Sequence, residues 1–295
     1  MTDSASLSGK VALVTGATRG AGRGIAVELG ALGAIVVCTG RTTRTNRSDL
    51  NRAETIEETA DLVTAAGGRG IAVRCDHTDE GDVRSLTERI HAQHGGLDIL
   101  INDVWGGESL SEWGKKAWEL DLAKGRTMLE RAVLSHVVTA RFALPLLKAG
   151  ALIVEVTDGD TWSYRGNVFY DLAKTGVMRL ARIWSWELQE DARAVTSVSV
   201  TPGYLRSEEM LTFKGLTEDN WREDSDPNFQ ESETPRFVGR GIARLAADPD
   251  KRRFDGRALA SWTLMDEYRF TDVDGRTPHW GKWFARLQAE GSSGE

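Results

Sequence analysis

The chain of 295 residues has few of the residues on which several classes of protein depend. It contains two cysteines, Cys38 and Cys75, which cannot build a disulfide framework or a cysteine-rich zinc site. Among its five histidines only His91 and His94 are closely spaced, and no third ligand stands near them in the sequence. We therefore expect free thiols and no bound metal.

Positive charge and long apolar runs are also scarce. Lys and Arg total 37 against 44 Asp and Glu, and the resulting net charge of -7 has the wrong sign for holding nucleic acid or an anionic membrane. No run approaches the roughly 20 apolar residues that span a bilayer. Residues 1–10 are polar and lack the apolar stretch of a signal peptide. These features predict a cytoplasmic protein that binds neither nucleic acid nor membranes.

Short apolar runs alternate with longer amphipathic segments along most of the chain. The runs predict seven strands, at 11–15, 35–39, 71–75, 97–102, 151–157, 195–201 and 257–262. Helical patterns between them include 20–32, 49–66 and 79–94. Continuous Val, Ile, Leu and Ala runs joined by helices are typical of parallel strands covered on both faces. The sequence therefore predicts an α/β fold, with a single doubly wound domain over residues 1–262.

Two segments depart from this alternation. Residues 206–234 form an acidic insertion, which is either a lid over a ligand or a solvated surface loop. Residues 263–295 form a C-terminal extension in which Trp280, Trp283 and Leu287 share one helical stripe. We expect that stripe to pack on the domain or on a partner subunit.

A glycine-rich loop follows the first predicted strand. The sequence TGATRGAG at 15–22 leads directly into a helix. Gly16 allows a tight turn, Gly20 lets the backbone approach a pyrophosphate, and Gly22 lets the helix lie close to the strand. Because the loop stands between a strand and a helix, it predicts dinucleotide binding in a Rossmann-like domain.

The end of the second predicted strand indicates which dinucleotide binds. The run Cys38-Thr39-Gly40-Arg41 lacks the acid that usually holds a ribose 2′-hydroxyl. Guanidinium groups at Arg41 and Arg19 can instead form bidentate bonds with a 2′-phosphate. We therefore expect NADP(H) as the cofactor, while the alternative is that both arginines only solubilise a loop.

Tyr170 and Lys174 lie at positions i and i+4 of a predicted helix and share one face. The ordinary pKa of a phenol is near 10, so a nearby positive charge is needed to favour its ionised form. We expect Lys174 to supply that charge. A Tyr and a Lys four residues apart are common by chance. The pair therefore indicates catalysis only in combination with the glycine loop.

Together these motifs resemble the short-chain dehydrogenase/reductase family over roughly residues 8–262. The resemblance implies that Tyr170 is a proton donor, that Lys174 holds the nicotinamide ribose and that Asp76 contacts adenine. It also implies that Pro202 and Gly203 form the loop that cradles the nicotinamide amide. Further cofactor-binding positions implied in this way are Thr18, His77, Asn102, which matches the first Asn of the family's Asn-Asn-Ala-Gly segment, and Ser207.

Within the family, the sequence resembles the branch that includes dehydrogenase/reductase member 1. The similar features are Thr39-Gly40-Arg41, the insertion at 206–234 and the tail sequence DVDGR at 272–276. The family resemblance also implies a homodimer or homotetramer, formed through the helix after Lys174 and the preceding helical region at 126–147.

The sequence departs from the family pattern at the catalytic serine. The corresponding positions hold Thr157, which keeps a hydroxyl, and Asp158, which would raise the pKa of Tyr170 unless it is itself protonated and donates a hydrogen bond. The family's helix Asn falls at Ala132. Trp105 stands close to the implied cofactor position, as a substrate wall or packed under the insertion.

The sequence as a whole predicts an NADPH-dependent oxidoreductase that reduces the carbonyl group of a small uncharged or cationic molecule. Tyr170 would donate the proton, and Thr157 or Asp158 would orient the carbonyl. Two alternatives stay open because the catalytic set is incomplete. One is an NADP-binding sensor or scaffold without redox turnover, and the other is a dehydratase or epimerase on the same scaffold.

Overall fold

The computed structural model describes residues 6–49 and 51–292. Within these residues seven strands form one parallel sheet, in the order β3-β2-β1-β4-β5-β6-β7. The strands are β1 (Val11–Val14), β2 (Ile35–Gly40), β3 (Arg69–Arg74), β4 (Leu97–Asn102), β5 (Leu147–Val156), β6 (Thr196–Thr201) and β7 (Ala258–Ala260). The predicted α/β class and all seven predicted strands are confirmed.

Helices cover both faces of the sheet. They are α1 (Gly20–Ala31), α2 (Ile56–Ala65), α3 (Glu80–His94), α4 (Leu122–Leu129), α5 (Ser135–Ala143), α6 (Val168–Glu187), α7 (Glu208–Lys214), α8 (Pro227–Gln230), α9 (Pro235–Ala247), α10 (Ser261–Tyr268) and α11 (Trp280–Ser292). A π-helical segment, Glu130–Leu134, joins α4 to α5 and contains the buried Ala132. Short 3₁₀ turns lie at Glu108–Leu110, Ala117–Glu119, Leu144–Leu146, Trp221–Glu223 and Lys251–Phe254.

The strands form the sheet because their apolar residues face a layer of helices on each side. On one face, Ile25 and Leu29 of α1 pack with Phe237 and Ile242 of α9. On the other face, Val83, Leu86 and Ile90 of α3 belong to one buried apolar cluster, which also contains Leu188 at the end of α6. All four residues of β1 are buried, and this strand pairs with both β2 and β4. The strand order reverses between β1 and β4, which places a ligand crevice at the carboxyl ends of these strands.

The predicted helix at 49–66 is wrong at its start, because the helix begins at Ile56. Thr55 is the N-cap residue, and its hydroxyl accepts a hydrogen bond from the Glu58 N–H. This cap ends the preceding loop. Asp49, which the prediction placed in the helix, instead bonds Arg41 in the loop after β2.

The insertion at 206–234 is not a solvated loop. It contains α7 and α8 and has its own apolar cluster of Leu211, Trp221 and Phe229. The Arg206 side chain is 1% exposed, and its guanidinium lies 3.8 Å from the centroid of the Trp221 ring. Although the segment is acidic in composition, it contains a small core in which a buried cation lies on an aromatic face.

The C-terminal extension packs on the insertion and on Tyr204, two residues before it. Trp280 lies against Tyr204, with ring centroids 5.5 Å apart. The indole N–H of Trp283 donates to Oδ1 of Asn228 over 2.9 Å. Both tryptophans of the stripe therefore contact other parts of the chain.

The two cysteines agree with the expectation from composition. Cys38 and Cys75 are buried, and both are free thiols, as predicted. No helix in the described part of the chain is long and apolar enough to cross a membrane.

Candidate active site

The glycine loop brings bare backbone to the N-terminus of α1. Gly16 has a φ of +69°, and a Cβ built on it would lie 2.4 Å from the carbonyl oxygen of Asp103. A Cβ on Gly22 would lie 2.5 Å from the carbonyl oxygen of Gly16. The N-cap residue, Arg19, makes no side-chain capping bond. The first turn of α1 therefore presents backbone N–H groups that can bind an anion.

A carboxylate of the protein itself contacts this helix N-terminus. The Gly20 N–H donates to Oε2 of Glu208, at the start of α7, over 2.8 Å. Glu208 also lies 3.7 Å from the Arg23 guanidinium. Asp103 packs against Gly22, and burial raises the pKa of its carboxyl to about 7. An oxyanion therefore already binds to the donors that a pyrophosphate would use.

The two arginines predicted to bind a 2′-phosphate each lie beside a carboxylate. Arg19 Nε is 3.6 Å from Glu209, and Arg41 Nη2 is 2.8 Å from Asp49 Oδ1. The second oxygen of Asp49 lies 2.6 Å from Arg131. Sequence reasoning missed Arg131, because only the fold brings this π-helical segment to the same carboxylate as Arg41.

Tyr170 lies in the first turn of α6, and its hydroxyl donates to Oδ2 of Asp158 over 2.7 Å. Asn167 caps this helix by accepting a hydrogen bond from the Tyr170 N–H. Of the two positions expected at the family's serine, Asp158 is thus the one that meets the phenol. Thr157 donates its hydroxyl to the carbonyl oxygen of Lys174 over 2.6 Å, so that hydroxyl is engaged with α6.

Two tryptophans pack around the phenol and the ammonium group. Lys174 Nζ is 3.7 Å from the ring centroid of Trp105 and 5.4 Å from that of Tyr170. The ring centroids of Trp105 and Trp113 lie 5.3 Å and 5.0 Å from that of Tyr170. Of the two expectations for Trp105, the wall beside the reacting groups is therefore the one that its contacts favour.

The pKa values of the Tyr170 and Lys174 pair differ from the prediction. Burial and the Asp158 carboxylate raise the pKa of the Tyr170 phenol well above its usual value, and burial lowers the pKa of Lys174. The net shift is therefore opposite to the one expected from Lys174 alone, because the phenol hydrogen faces a carboxylate and Nζ lies over the Trp105 ring. The raising effect predicted for Asp158 is confirmed. The phenol is therefore neutral at neutral pH and carries a proton that it can donate.

Asp76 and His77 follow β3 at the same edge of the sheet. Oδ1 of Asp76 accepts hydrogen bonds from the backbone N–H and the hydroxyl of Thr78. The His77 ring lies between the hydroxyls of Thr39 and Thr139, each 2.8 Å from a ring nitrogen, and burial lowers its pKa to about 4. His77 can therefore offer a ligand only its backbone.

Asn102 belongs to a buried network that sequence reasoning missed. Its amide donates to Oε1 of Glu155 over 2.9 Å, and the Trp184 indole N–H donates to the same oxygen over 2.8 Å. Oε2 of Glu155 lies 2.6 Å from His136 Nδ1, and His136 Nε2 lies 3.0 Å from the Val104 carbonyl oxygen. Both ring nitrogens of His136 therefore lie within hydrogen-bond distance of an oxygen. The signal was Glu155, the only acidic residue of β5.

The segment at 202–207, after β6, is held by the buried Glu233. The Gly203 N–H donates to Oε2 of Glu233 over 2.9 Å, and the Ser261 hydroxyl donates to the same oxygen. Oε1 of Glu233 has no partner among the described residues, and burial raises the pKa of this carboxyl to about 8. At the other end of the segment, Ser207 is the N-cap residue of α7.

Comparison with known proteins defines the class to which this fold and site belong. The sequence model described as short chain dehydrogenase matches residues 10–216. The chain belongs to the short-chain dehydrogenase/reductase family of enzymes, which use a nicotinamide cofactor, NAD or NADP.

Individual relatives place the chain more closely. Dehydrogenase/reductase SDR family member 1 of Mus musculus is 33% identical over 282 residues, which cover 92% of this chain and 86% of that protein. The predicted branch of the family is therefore confirmed. The 7alpha-hydroxysteroid dehydrogenase of Escherichia coli K12 is 28% identical, over 67% of this chain and 72% of its own length. A solved hydroxysteroid dehydrogenase from Escherichia coli shares the fold, with a TM-score of 0.69 at 22% identity, over 88% of this chain and 98% of that one.

Proposed function

We propose that this protein is an NADPH-dependent reductase of small-molecule carbonyl groups, with Tyr170 as the proton donor. The observation that carries the proposal is the neutral Tyr170 phenol, held at 2.7 Å from a carboxylate at the carboxyl edge of the sheet. A neutral phenol can protonate the oxygen of a reduced carbonyl, but it cannot remove a proton from an alcohol. This protonation state favours reduction over alcohol oxidation.

The cofactor would supply the hydride when bound, and the chain would supply its binding groups and the proton. The cradle that a Cβ would fill at Gly16 and Gly22, and the carboxylate bound at the Gly20 N–H, support its fit. Its phosphates would lie at Gly16, Thr18, Gly20 and Gly22. Its adenosine half would contact Asp76, His77 and Asn102. Its nicotinamide half would contact Pro202, Gly203, Ser207, Tyr170 and Lys174.

In this proposal Asp158 faces the substrate, and Thr157 acts through Lys174. Asp158 would need a proton of its own to donate a hydrogen bond to a carbonyl oxygen, because a carboxylate only accepts. Thr157 would position the turn of α6 that carries Lys174, through its bond to the Lys174 carbonyl oxygen.

The direct test is to incubate the purified protein with NADPH and a panel of aldehydes, ketones and quinones. We expect one equivalent of NADPH to be consumed for each alcohol or hydroquinone formed. NADPH binding without consumption for any substrate would favour the sensor or scaffold. Product formation without NADPH consumption would favour a dehydratase or epimerase.

Replacing Arg41 with Asp should weaken NADPH binding by about 10- to 100-fold and leave the affinity for NADH nearly unchanged. The expectation follows because charge-assisted bonds to a phosphate contribute roughly 1.5–3 kcal/mol each. Titration of intrinsic protein fluorescence with each dinucleotide measures the effect. Arg44→Asp is the matched control, since Arg44 lies in the same loop as Arg41, pairs with Asp61 of α2 and is exposed. Equal NADPH affinity in Arg41→Asp and the wild type would remove Arg41 as the 2′-phosphate ligand.

Replacing Glu208 with Gln should strengthen dinucleotide binding by about fivefold. The incoming pyrophosphate has to displace the Glu208 carboxylate from the Gly20 N–H, and a neutral amide is the weaker competitor, by roughly 1 kcal/mol. Calorimetric titration with NADPH measures this change. Glu223→Gln removes one charge from an exposed position of the same insertion and should leave the affinity as it is. A weaker affinity in Glu208→Gln would show that Glu208 supports the cofactor site.

We also propose that the protein forms a homo-oligomer through α5 and α6. Large apolar side chains are exposed on both helices. They are Leu134, at the end of the π-helical segment, Val137 on α5, and Leu172 and Trp186 on α6, with exposed fractions of 55%, 37%, 51% and 52%. Burying such a set against a second copy would remove apolar surface from water.

A further inference from the structure

The group facing the Tyr170 hydroxyl can accept hydrogen bonds but, as a carboxylate, cannot donate one. Asp158 stands at this place, and its Oδ2 accepts the phenol hydrogen over 2.7 Å. The neighbouring hydroxyl, on Thr157, donates to the carbonyl oxygen of Lys174. The position at which a neutral donor would polarise a carbonyl oxygen therefore holds an anion.

When it is ionised, Asp158 has the wrong sign for a carbonyl oxygen, which requires the protonated form of this side chain. When a C=O bond accepts a hydride, its oxygen gains negative charge, and preorganised donors stabilise that charge. A carboxylate within contact of that oxygen raises the energy of the reduced state, because the two negative charges repel. A protonated C=N bond has the opposite requirement. It carries a positive charge and an N–H donor, and both match an accepting carboxylate.

The surroundings of Asp158 point in the same direction. The ring centroid of Trp113 lies 5.0 Å from that of Tyr170, and an aromatic face attracts a delocalised cation, whereas the Trp105 ring already holds Lys174 Nζ. Trp113 is 58% exposed, so a ligand can reach it.

The two cations that act near Asp158, Lys174 and Arg165, each have another partner as well. Arg165 is paired with Asp171 at 3.3 Å, and Lys174 Nζ lies over an aromatic ring. Glu108 adds a second negative charge close enough to act on both Tyr170 and Lys174. The Lys174 ammonium therefore offsets part of the negative charge at this acceptor, while the Arg165 guanidinium is paired with Asp171.

We propose that this site reduces protonated carbon–nitrogen double bonds, in cyclic imines fused to an aromatic ring, with Asp158 binding the N–H⁺ group. The inference rests on the proposed nicotinamide-dependent reductase function and extends it to a second class of substrate. The iminium carbon accepts a hydride from the reduced nicotinamide, which becomes oxidised. The C=N double bond becomes a single bond, and the nitrogen keeps the proton that it carried. The product is a neutral amine, so Tyr170 need not supply a proton and serves to hold Asp158.

The experiment compares 3,4-dihydroisoquinoline with 1-tetralone, a ketone of similar size and shape. In the wild type with NADPH we expect kcat/KM for the imine to exceed that for the ketone by at least about tenfold. Asp158→Ser, which restores a neutral donor, should reverse this preference. Asp160→Asn is the matched control, because it removes a carboxylate of the same loop that does not contact the phenol, and it should keep the wild-type preference.

A binding measurement tests the same contact without turnover. The cation of 1,2,3,4-tetrahydroisoquinoline should quench the tryptophan fluorescence of the wild type and of Asp160→Asn, with at least about tenfold weaker binding to Asp158→Asn. A wild type that prefers the ketone, or an Asp158→Asn variant that binds the amine as tightly as the wild type, would overturn the imine proposal alone. A protein that binds no nicotinamide dinucleotide would overturn the proposed function as well.

Discussion

Replacing Tyr170 with Phe is expected to lower kcat for ketone reduction by about 10²–10⁴, the usual contribution of a positioned general acid. The variant loses only the hydroxyl that donates to Asp158, while the ring contacts with Trp105 and Trp113 stay. The affinity for NADPH should therefore change little. Steady-state kinetics with a ketone, together with a dinucleotide titration, separate the two effects.

The matched control is Tyr164→Phe, which removes a hydroxyl from a tyrosine that is 65% exposed and should leave kcat unchanged. Ketone turnover in Tyr170→Phe at the wild-type rate would show that another group donates the proton. Turnover of a protonated imine should fall much less in Tyr170→Phe, because that substrate brings its own proton.

Replacing Glu233 with Gln is expected to remove a large part of the dependence of stability on pH. The pKa of this carboxyl is raised by burial from 4.5 to about 8 in the folded protein. The folded state therefore keeps a proton that the unfolded chain has lost. Stability is fully retained below pH 4.5, falls as the pH rises towards 8, and levels off above it. Each unit of pKa difference corresponds to about 1.4 kcal/mol, so the full effect is several kcal/mol at most.

Thermal unfolding of both proteins between pH 5 and pH 9 measures this effect. The wild-type Tm should decline by about 5–10 °C over that range because of Glu233, and the decline should be much smaller in Glu233→Gln. The Gln oxygen can still accept from the Gly203 N–H and the Ser261 hydroxyl, so the variant should fold. Glu231→Gln, two residues earlier, should follow the wild-type profile. Parallel Tm profiles for the wild type and Glu233→Gln would mean that folding does not raise the pKa of Glu233.

The sheet could be predicted from the sequence because each strand is a continuous apolar run that must be covered on both faces. The start of α2 could not, because it depends on the Thr55 cap, while the loop before it holds Asp49 between two arginines. The core of the insertion could not be predicted either. Its core forms around Arg206, whose guanidinium lies on the Trp221 ring, and composition alone does not indicate a buried cation.

The sequence predicted the residue types of the candidate site better than it predicted their pKa values and charge contacts. The pair Tyr170 and Lys174 and the glycine loop follow from spacing, and both lie at the carboxyl edge of the sheet as the predicted topology requires. The choice between Thr157 and Asp158 depends on how the chain turns after β5, which spacing does not determine. The net pKa of the Tyr170 phenol could not be predicted, because its burial and its contact with Asp158 are tertiary features.

The carboxylates of Glu208, Glu209 and Asp49 have a consequence for small anions. Each is tethered beside a donor at a predicted phosphate position, so its effective concentration there is high. A lone sulfate or phosphate ion gains one contact and has to expel a resident competitor to make it. A dinucleotide phosphate gains several contacts in a single event. The resting protein is thereby screened against the inorganic ions of its medium, and only a ligand with several linked phosphates competes well.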